Sequence, residues 1–277
     1  MNFTSSQGIK FHYEFSAAKD KSIPLLFLHG FSGSSKDWNF IKENLKNKYD
    51  IYTIDLIGHG FSDSPADGAF YSTSNQINYL QEFVENVIQT KPVIIGYSMG
   101  GRLALQFGIK HQDLLSGLII ESSTPGIEDI NEKGKRKEWD ESIARMIQER
   151  GIEYFAEHWI NLPILKDSYR NANLPFQSII NSKVQNNPTG LANSIKFFGT
   201  GTMPQCWDKL NSLKIPVGII YGERDTKYEE ISRKIAGQIS DSVLYPIQSA
   251  GHIAHLEKPE EFINFVDQFC DKLKSKG

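Results

Sequence analysis

The chain has 277 residues, of which 39% are hydrophobic and 23% charged, and its formal net charge is −3 at pH 7. This length is enough for one large α/β domain or two small ones with a sizeable core. Nucleic-acid-binding proteins usually carry a strong basic excess, so we expect no nucleic-acid partner. No apolar run approaches the roughly 20 residues needed to cross a bilayer, so we expect no membrane span.

The N-terminus and the cysteines indicate the compartment. The first 15 residues lack the basic-then-apolar pattern of a signal peptide. Cys206 and Cys270 are the only cysteines and form no CxxC or CxxH spacing, so we expect neither a metal site nor a disulfide framework. Buried thiols in a reducing compartment fit this pattern, and we predict a cytoplasmic enzyme. The sequence does not define the oligomeric state beyond a monomer or a weak dimer.

Short β-rich runs alternate with helix-period segments over the first 122 residues. Strands are predicted at residues 9–15, 24–28, 51–56, 93–95 and 118–120. Helices are predicted at 37–46, at 72–89 and from 102 onward, because apolar residues recur there at helical spacing. This alternation predicts a parallel sheet that is covered by helices on both faces.

The alternation stops after residue 122. Residues 128–207 are helical and charged in pattern, and strand periodicity returns only at 215–221 and 242–246, before a final helix at 259–274. We therefore predict a core made of residues 1–122 and 207–277, interrupted by a helical lid at 123–206. The alternative is that the helical insertion is a small domain of unrelated purpose.

A strand-to-helix junction carries the most specific motif. Residues 96–101 read Gly-Tyr-Ser-Met-Gly-Gly, which places Ser98 between glycines two residues to either side. This pattern is typical of a nucleophile elbow, where a sharp turn strains the serine backbone and leaves no room for larger side chains beside it. The hydroxyl then projects at a helix N-terminus, where developing negative charge is favoured.

A serine needs a base and an orienting acid, and in this kind of fold they follow it in the order acid, then histidine. Asp225 comes directly after the strand predicted at 215–221, and His252 follows the last predicted strand. We favour Asp225 over Glu223 and Glu121 because the intervening residues leave room for a turn. We favour His252 over the nearby His255 because Gly251 allows a close backbone approach.

A second glycine-flanked loop, Leu28-His29-Gly30-Phe31, follows the strand at 24–28. The backbone N–H groups of Phe31 and Met99 are therefore predicted to form an oxyanion hole. Together with the ordered triad of Ser98, Asp225 and His252, this loop predicts an α/β-hydrolase fold.

Arg102 comes one residue after the glycines of the elbow. A guanidinium fixed at this position can pair with a substrate carboxylate, which predicts a small anionic substrate. The alternative is a salt bridge on the surface of the elbow helix.

The chain closely resembles one family within this fold, the 2-succinyl-6-hydroxy-2,4-cyclohexadiene-1-carboxylate (SHCHC) synthases of menaquinone biosynthesis. The core segments that carry the resemblance are GYSMGGRLAL at 96–105, ESSTPGI at 121–127 and GERDTKY at 222–228. The lid contributes WINLP at 159–163 and QNNPTGLANSIKFFGTG at 185–201. General esterases have no reason to share these lid segments.

The resemblance implies an elimination rather than a hydrolysis. Pyruvate would leave a cyclohexene tricarboxylate after the triad removes a ring proton, with no metal or organic cofactor. Arg102 and Arg136 would match the family's basic positions, and Tyr97 and Trp159 its aromatic pocket positions. Two residues depart from the family's pattern: Leu165 stands where an aromatic is frequent, and Lys196 where an arginine is common.

Two other functions use the same scaffold. A hydrolase of esters or C–C bonds would share the triad but would turn over p-nitrophenyl esters. A ligand receptor would keep its response when Ser98 is replaced by alanine, whereas an enzyme would lose turnover.

Overall fold

One twisted sheet lies at the centre of the molecule. The computed structural model describes residues 1–20, 22–172 and 174–276. Within these residues the strands are β1 (Asn2–Thr4), β2 (Lys10–Ser16), β3 (Leu25–Leu28), β4 (Ile51–Ile54), β5 (Val93–Tyr97), β6 (Gly117–Glu121), β7 (Val217–Gly222) and β8 (Ser242–Ile247).

Helices cover both faces of this sheet and fill the segment between β6 and β7. They are α1 (Asn39–Leu45), α2 (Thr73–Phe83), α3 (Met99–His111), α4 (Ile130–Ile160), α5 (Lys166–Asn171), α6 (Phe176–Val184), α7 (Pro188–Phe198), α8 (Thr226–Ala236), α9 (Ala254–Glu257) and α10 (Pro259–Lys276). A 3₁₀ turn at Ser35–Trp38 precedes α1, and a π turn at Val84–Ile88 extends α2.

The strands lie in the order β1-β2-β4-β3-β5-β6-β7-β8. β1 and β2 are antiparallel to their neighbours, and every other pair is parallel. The strands β3, β5, β6 and β7 are buried along their whole length, as continuous apolar runs in a parallel sheet require. The predicted α/β-hydrolase fold, a mostly parallel sheet with helices on both faces, is confirmed.

Three elements are absent from the sequence predictions, namely β1, α8 and the one-turn helix α9 (Ala254–Glu257). The strand β1 has only three residues and pairs with β2 in antiparallel register, so it carries too little alternation to be detected. The helix α8 begins directly after Asp225, whose side chain caps it by accepting a hydrogen bond from the Tyr228 backbone N–H.

The apolar core is divided between the two faces of the sheet. On one face Trp38 and Phe262 pack together, with ring centroids 5.9 Å apart, and join the helices α1 and α10 to the sheet. On the other face α2 and α3 cover the strands, with Phe83 and Phe107 fully buried. Both faces are therefore closed to water, and the site must lie at an edge of the sheet.

The helices α4 to α7 occupy the insertion between β6 and β7. No strand interrupts them in the part of the insertion that the structure describes. The helix α4 is broken at Gly151, which has φ 86° and ψ 167°. Trp139 and Trp159, on opposite sides of the break, have ring centroids 6.0 Å apart, so α4 folds back on itself.

No helix in the described ranges is long and apolar enough to cross a membrane. Cys206 and Cys270 are both buried and unpaired.

Phe262 tests the packing of α10 on the sheet. We expect Phe262→Ala to lower the free energy of unfolding by about 3–5 kcal/mol, because its side chain is fully buried and the cavity left behind cannot fill completely. Phe40→Ala is the control, because Phe40 is 52% exposed and its loss should change stability by less than about 0.5 kcal/mol. Urea denaturation measures the free energy of unfolding of both variants. An equal decrease in the two would contradict the packing of Phe262 in the core.

Candidate active site

Five parallel strands end side by side at one edge of the sheet. They are β3, β5, β6, β7 and β8, which are consecutive neighbours in the sheet order. The loops that leave them carry Phe31 after β3, Ser98 after β5, Asp225 after β7 and His252 after β8. Catalytic groups gather at this carboxyl edge in open α/β sheets, and the fold brings all four residues to it.

The turn at Ser98 has the geometry of a nucleophile elbow. Ser98 has φ 49° and ψ −105°, a conformation that is strained for a residue with a side chain. A Cβ at Gly100 would lie 2.2 Å from the Leu28 carbonyl oxygen, and one at Gly96 would lie 2.5 Å from the backbone of Gly100. The two glycines therefore allow α3 to start in direct backbone contact with β3.

Two backbone N–H groups beside this contact, those of Met99 and Phe31, make no hydrogen bond within the described residues. Met99 is the first residue of α3, so its N–H has no partner within the helix. Neither this group nor the N–H of Phe31 donates to another described residue. Both residues line the same cavity as Ser98. A pair of convergent donors of this kind can stabilise an oxyanion.

His252 and Asp225 form a buried hydrogen-bonded pair. The distance from His252 Nδ1 to Asp225 Oδ2 is 2.6 Å, and both side chains are shielded from water. An ionised carboxylate only accepts hydrogen bonds, so Nδ1 carries the proton and Nε2 is left with a lone pair. This tautomer makes Nε2 the basic nitrogen. His252 and Ser98 line one cavity, and the Ser98 hydroxyl makes no hydrogen bond to any described residue.

Glu121 and His255, the alternatives to Asp225 and His252 in the sequence analysis, form hydrogen bonds with each other. His255 Nδ1 lies 2.7 Å from Glu121 Oε2, and the His255 N–H donates to Glu121 Oε1 at 3.0 Å. Both residues are buried. Glu223 is exposed and does not line the cavity. The structure therefore contains a second histidine–carboxylate pair behind the first.

The cavity has a volume of about 1010 Å³ and lies between the strand ends and the insertion. Tyr97 and Trp159, the predicted aromatic residues, both line it. The Tyr97 ring packs edge-on against His252 and His255, at 5.7 and 5.0 Å. Trp159 packs against Phe31 at 5.0 Å, so the insertion contacts the predicted oxyanion loop.

Arg102 is buried in the wall of the cavity rather than paired on the surface. Its Nη1 donates to the Phe198 carbonyl oxygen at 3.0 Å, and Met203 Sδ lies at the same distance. Burial lowers the pKa of Arg102 to about 10, so the guanidinium remains charged at neutral pH. It forms no salt bridge with any carboxylate in the described residues. The alternative of a surface salt bridge is therefore wrong.

Arg136 reaches the cavity from α4 and is held by a buried carboxylate. Its Nε donates to Asp140 Oδ1 at 2.8 Å, and the guanidinium lies 4.9 Å from the Trp139 ring centroid. Asp140 is fully buried and also accepts a hydrogen bond from the Gly201 N–H. This arrangement fixes the direction of the guanidinium while leaving its terminal nitrogens available.

A third cation, Lys183, was missed by the sequence analysis. It lies on α6, is only 4% exposed and lines the cavity with Tyr169 and Asp37. Burial acts to lower the pKa of Lys183, but Tyr169 and Asp37 outweigh it and the pKa is raised. The available signal was a lysine four residues after Ile179, on the apolar face of its helix.

Tyr228 was also missed as a wall of the cavity. Its ring centroid lies 4.6 Å from that of His252, and burial raises the pKa of its phenol. Of the two departures from the family pattern, Leu165 lines the cavity, whereas Lys196 is exposed and lies outside it. In the described residues no three His, Cys, Asp or Glu side chains converge as metal ligands do.

The fold, the elbow and the residues at the strand ends define the class of protein. A model of the α/β-hydrolase-fold family matches residues 23–259, so the chain is an α/β-hydrolase-fold protein. A Bacillus subtilis (strain 168) protein provisionally named 2-succinyl-6-hydroxy-2,4-cyclohexadiene-1-carboxylate synthase is 34% identical over 99% of both chains. The chain therefore belongs to the SHCHC synthase family within this fold.

Other comparisons agree with this placement. The synthase of Salmonella agona (strain SL483) is 28% identical and covers 88% of this chain and 92% of its own length. The structure of MenH from S. aureus superposes with a TM-score of 0.89 at 31% identity, over 95% of this chain and 99% of that one. A thermophilic esterase from Thermogutta terrifontis has a TM-score of 0.85 at 24% identity over 99% of this chain and 98% of that one, which shows a shared fold alone.

Gly100 tests the backbone contact at the elbow. We expect Gly100→Ala to lower the free energy of unfolding by about 1–3 kcal/mol, because the new Cβ would overlap the Leu28 carbonyl oxygen. Gly134→Ala is the control, because no heavy atom lies within 4 Å of the position of its Cβ and α4 continues through it. That substitution should stabilise by about 0.4–1 kcal/mol. Chemical denaturation measures both changes in the free energy of unfolding. Changes of the same sign in the two variants would contradict the backbone contact at Gly100.

Proposed function

We propose that the protein eliminates pyruvate from 2-succinyl-5-enolpyruvyl-6-hydroxy-3-cyclohexene-1-carboxylate to give SHCHC, a step of menaquinone biosynthesis. One observation carries the proposal. The cavity that holds Ser98 and His252, the partner of Asp225, is lined within the described residues by six cationic side chains, of which Arg102 and Lys183 are buried and Arg136 is half-buried. Membership of the SHCHC synthase family supports it.

The charges of the cavity suit this substrate. The substrate carries carboxylates on the succinyl group, the enolpyruvyl group and the ring, and buried cations favour such anions strongly. Tyr97 and Trp159 offer apolar walls for the ring. Because Arg136 is oriented by Asp140, it can present two N–H groups to a carboxylate, as planar guanidinium recognition requires.

The reaction then follows from the proton acceptors of the site. His252 Nε2 takes the proton of the Ser98 hydroxyl, and the serine oxygen removes a ring proton next to the succinyl carbonyl. The electron pair of the broken C–H bond moves to the carbonyl oxygen, which becomes an enolate held by the N–H groups of Phe31 and Met99. No covalent acyl-enzyme is needed.

The second half returns these electrons to the ring. As the enolate returns to the ketone, a double bond forms at the deprotonated ring carbon, the existing ring double bond moves one position toward the leaving group, and the C–O bond to the enolpyruvyl group breaks. That group leaves as the enolate of pyruvate and takes up the proton that His252 holds, which restores the site. Asp225 stays ionised throughout, holds the imidazole in one tautomer and stabilises its positive charge.

We propose that residues 123–206 act as a lid on a core of 1–122 and 207–277. Arg136, Trp159 and Lys183 belong to the insertion, while the proposed triad belongs to the core. Substrate binding therefore requires both parts, and a closed insertion would exclude water from the enolate. The small anionic substrate is the one partner that the site supports, and a cytoplasmic location remains a prediction from composition.

Pyruvate release tests the function. The purified protein should release one pyruvate per substrate in an assay coupled to lactate dehydrogenase. We expect Ser98→Ala to lower kcat by about 10²- to 10⁴-fold, because it removes the group that relays the proton. Ser116→Ala is the control, since that hydroxyl lies at the opposite edge of the sheet and bonds to the Lys91 carbonyl. Rapid hydrolysis of p-nitrophenyl esters without pyruvate release would identify an esterase instead.

Arg102 tests the recognition of the substrate's negative charge. We expect Arg102→Ala to lower kcat/KM for the tricarboxylate by about 10- to 100-fold, the value of a hydrogen bond to a charged group. Arg145→Ala removes an exposed cation of α4 that does not line the cavity, and it should have little effect. Steady-state kinetics of the two variants give the comparison. If Arg102→Ala kept the kcat/KM of the unchanged protein, a role for Arg102 in substrate binding would be contradicted.

A further inference from the structure

Two side chains outside strand β8 accept backbone hydrogen bonds from the loop that carries His252. The N–H of Gly251, just before His252, donates to Glu257 Oε1 at 2.7 Å. The N–H of Ile253, just after it, donates to Ser168 Oγ at 3.2 Å. The peptide that directly follows the histidine, and the second peptide before it, are therefore each anchored by a side chain.

The two anchors are joined to each other. The Ser168 hydroxyl donates to Glu257 Oε1 at 2.6 Å, which directs its lone pairs toward the Ile253 N–H. Ser168 is buried, and Arg224 forms a salt bridge with the other carboxylate oxygen of Glu257. Charge-assisted hydrogen bonds of this kind are stronger than neutral ones, especially away from water.

The contacts of Ser168 join the insertion to the core. Ser168 lies on α5, within the insertion, whereas Glu257 and His252 follow β8 in the core. The insertion therefore contributes directly to the backbone geometry of the histidine loop, and it does so without reaching the cavity itself, because Ser168 does not line it.

We propose that Ser168 is a positioning residue for His252, through which the docked insertion sets the alignment of the base. This inference rests on the proposed role of His252. Asp225 fixes the imidazole at Nδ1, but the ring direction also depends on the backbone on either side. Gly251 gives that backbone freedom, and the contacts with Glu257 and Ser168 restrict it, so they restrict the direction of Nε2. A misplacement of about 1 Å can cost 10²-fold in rate.

A matched pair of variants separates positioning from simple docking of the insertion. Ser168→Ala removes the acceptor of the Ile253 N–H. Asn171→Ala removes a different hydrogen bond from the same helix to the same carboxylate, Asn171 Nδ2 to Glu257 Oε2 at 3.2 Å, without touching the histidine loop. We expect Ser168→Ala to lower kcat by about 10-fold with KM nearly unchanged, and Asn171→Ala to change neither by more than about twofold.

A measurement without substrate keeps this test independent of the proposed reaction. The Nδ1 protons of His252 and His255 both lie in short hydrogen bonds to carboxylates and should give two downfield proton resonances. In Ser168→Ala we expect the His252 resonance to broaden or shift and the Ile253 amide to exchange faster. The His255 resonance serves as the internal reference and should not move.

The outcomes are distinct. Equal kinetic losses in the two variants, or an unchanged His252 resonance and Ile253 amide in Ser168→Ala, would overturn the positioning role. If the wild-type protein releases no pyruvate, the proposed reaction fails, and the resonance and exchange data still decide the role of Ser168.

Discussion

The backbone contact between α3 and β3 is the constraint on which the rest of the site depends. It exists because Gly100 has no side chain, and it holds Ser98 in a conformation with φ 49°. The same contact brings the first N–H of the helix beside the loop that follows β3. One tight approach therefore brings Ser98 and the proposed donors at Phe31 and Met99 to the same cavity.

Around this fixed centre, buried and half-buried cations line the cavity. Burying a cation is costly, and within the described residues Arg102 donates hydrogen bonds to a carbonyl oxygen and a thioether and to no carboxylate, although the nearby charge of Asp140 favours its charged form. Arg136 and Lys183 have carboxylates nearby, but they also line the cavity. An anionic ligand would relieve this uncompensated charge, so the free protein is already organised for the substrate that we propose.

The sequence was most informative where function depends on local geometry. The elbow, the acid after β7 and the histidine after β8 are short motifs whose order along the chain follows from the parallel sheet, so the fold and these residues could be predicted. Ser168 could not, and the helical spacing of Lys183 indicates only its burial, because each acquires its proposed role from elements far away in the chain. The pairing of Glu121 with His255 was hidden for the same reason: both looked like rival members of the triad until packing joined them.

The break at Gly151 determines the width of the cavity. In an uninterrupted helix, with a rise of 1.5 Å per residue, Trp139 and Trp159 would lie about 30 Å apart. The positive φ of Gly151 turns α4 into a helical hairpin, so that the rings come within 6.0 Å and Arg136 faces the same space as Trp159. The backbone angles of Gly151 therefore determine how far the Arg136 guanidinium, on the first half of α4, lies from the Trp159 ring, on the second half.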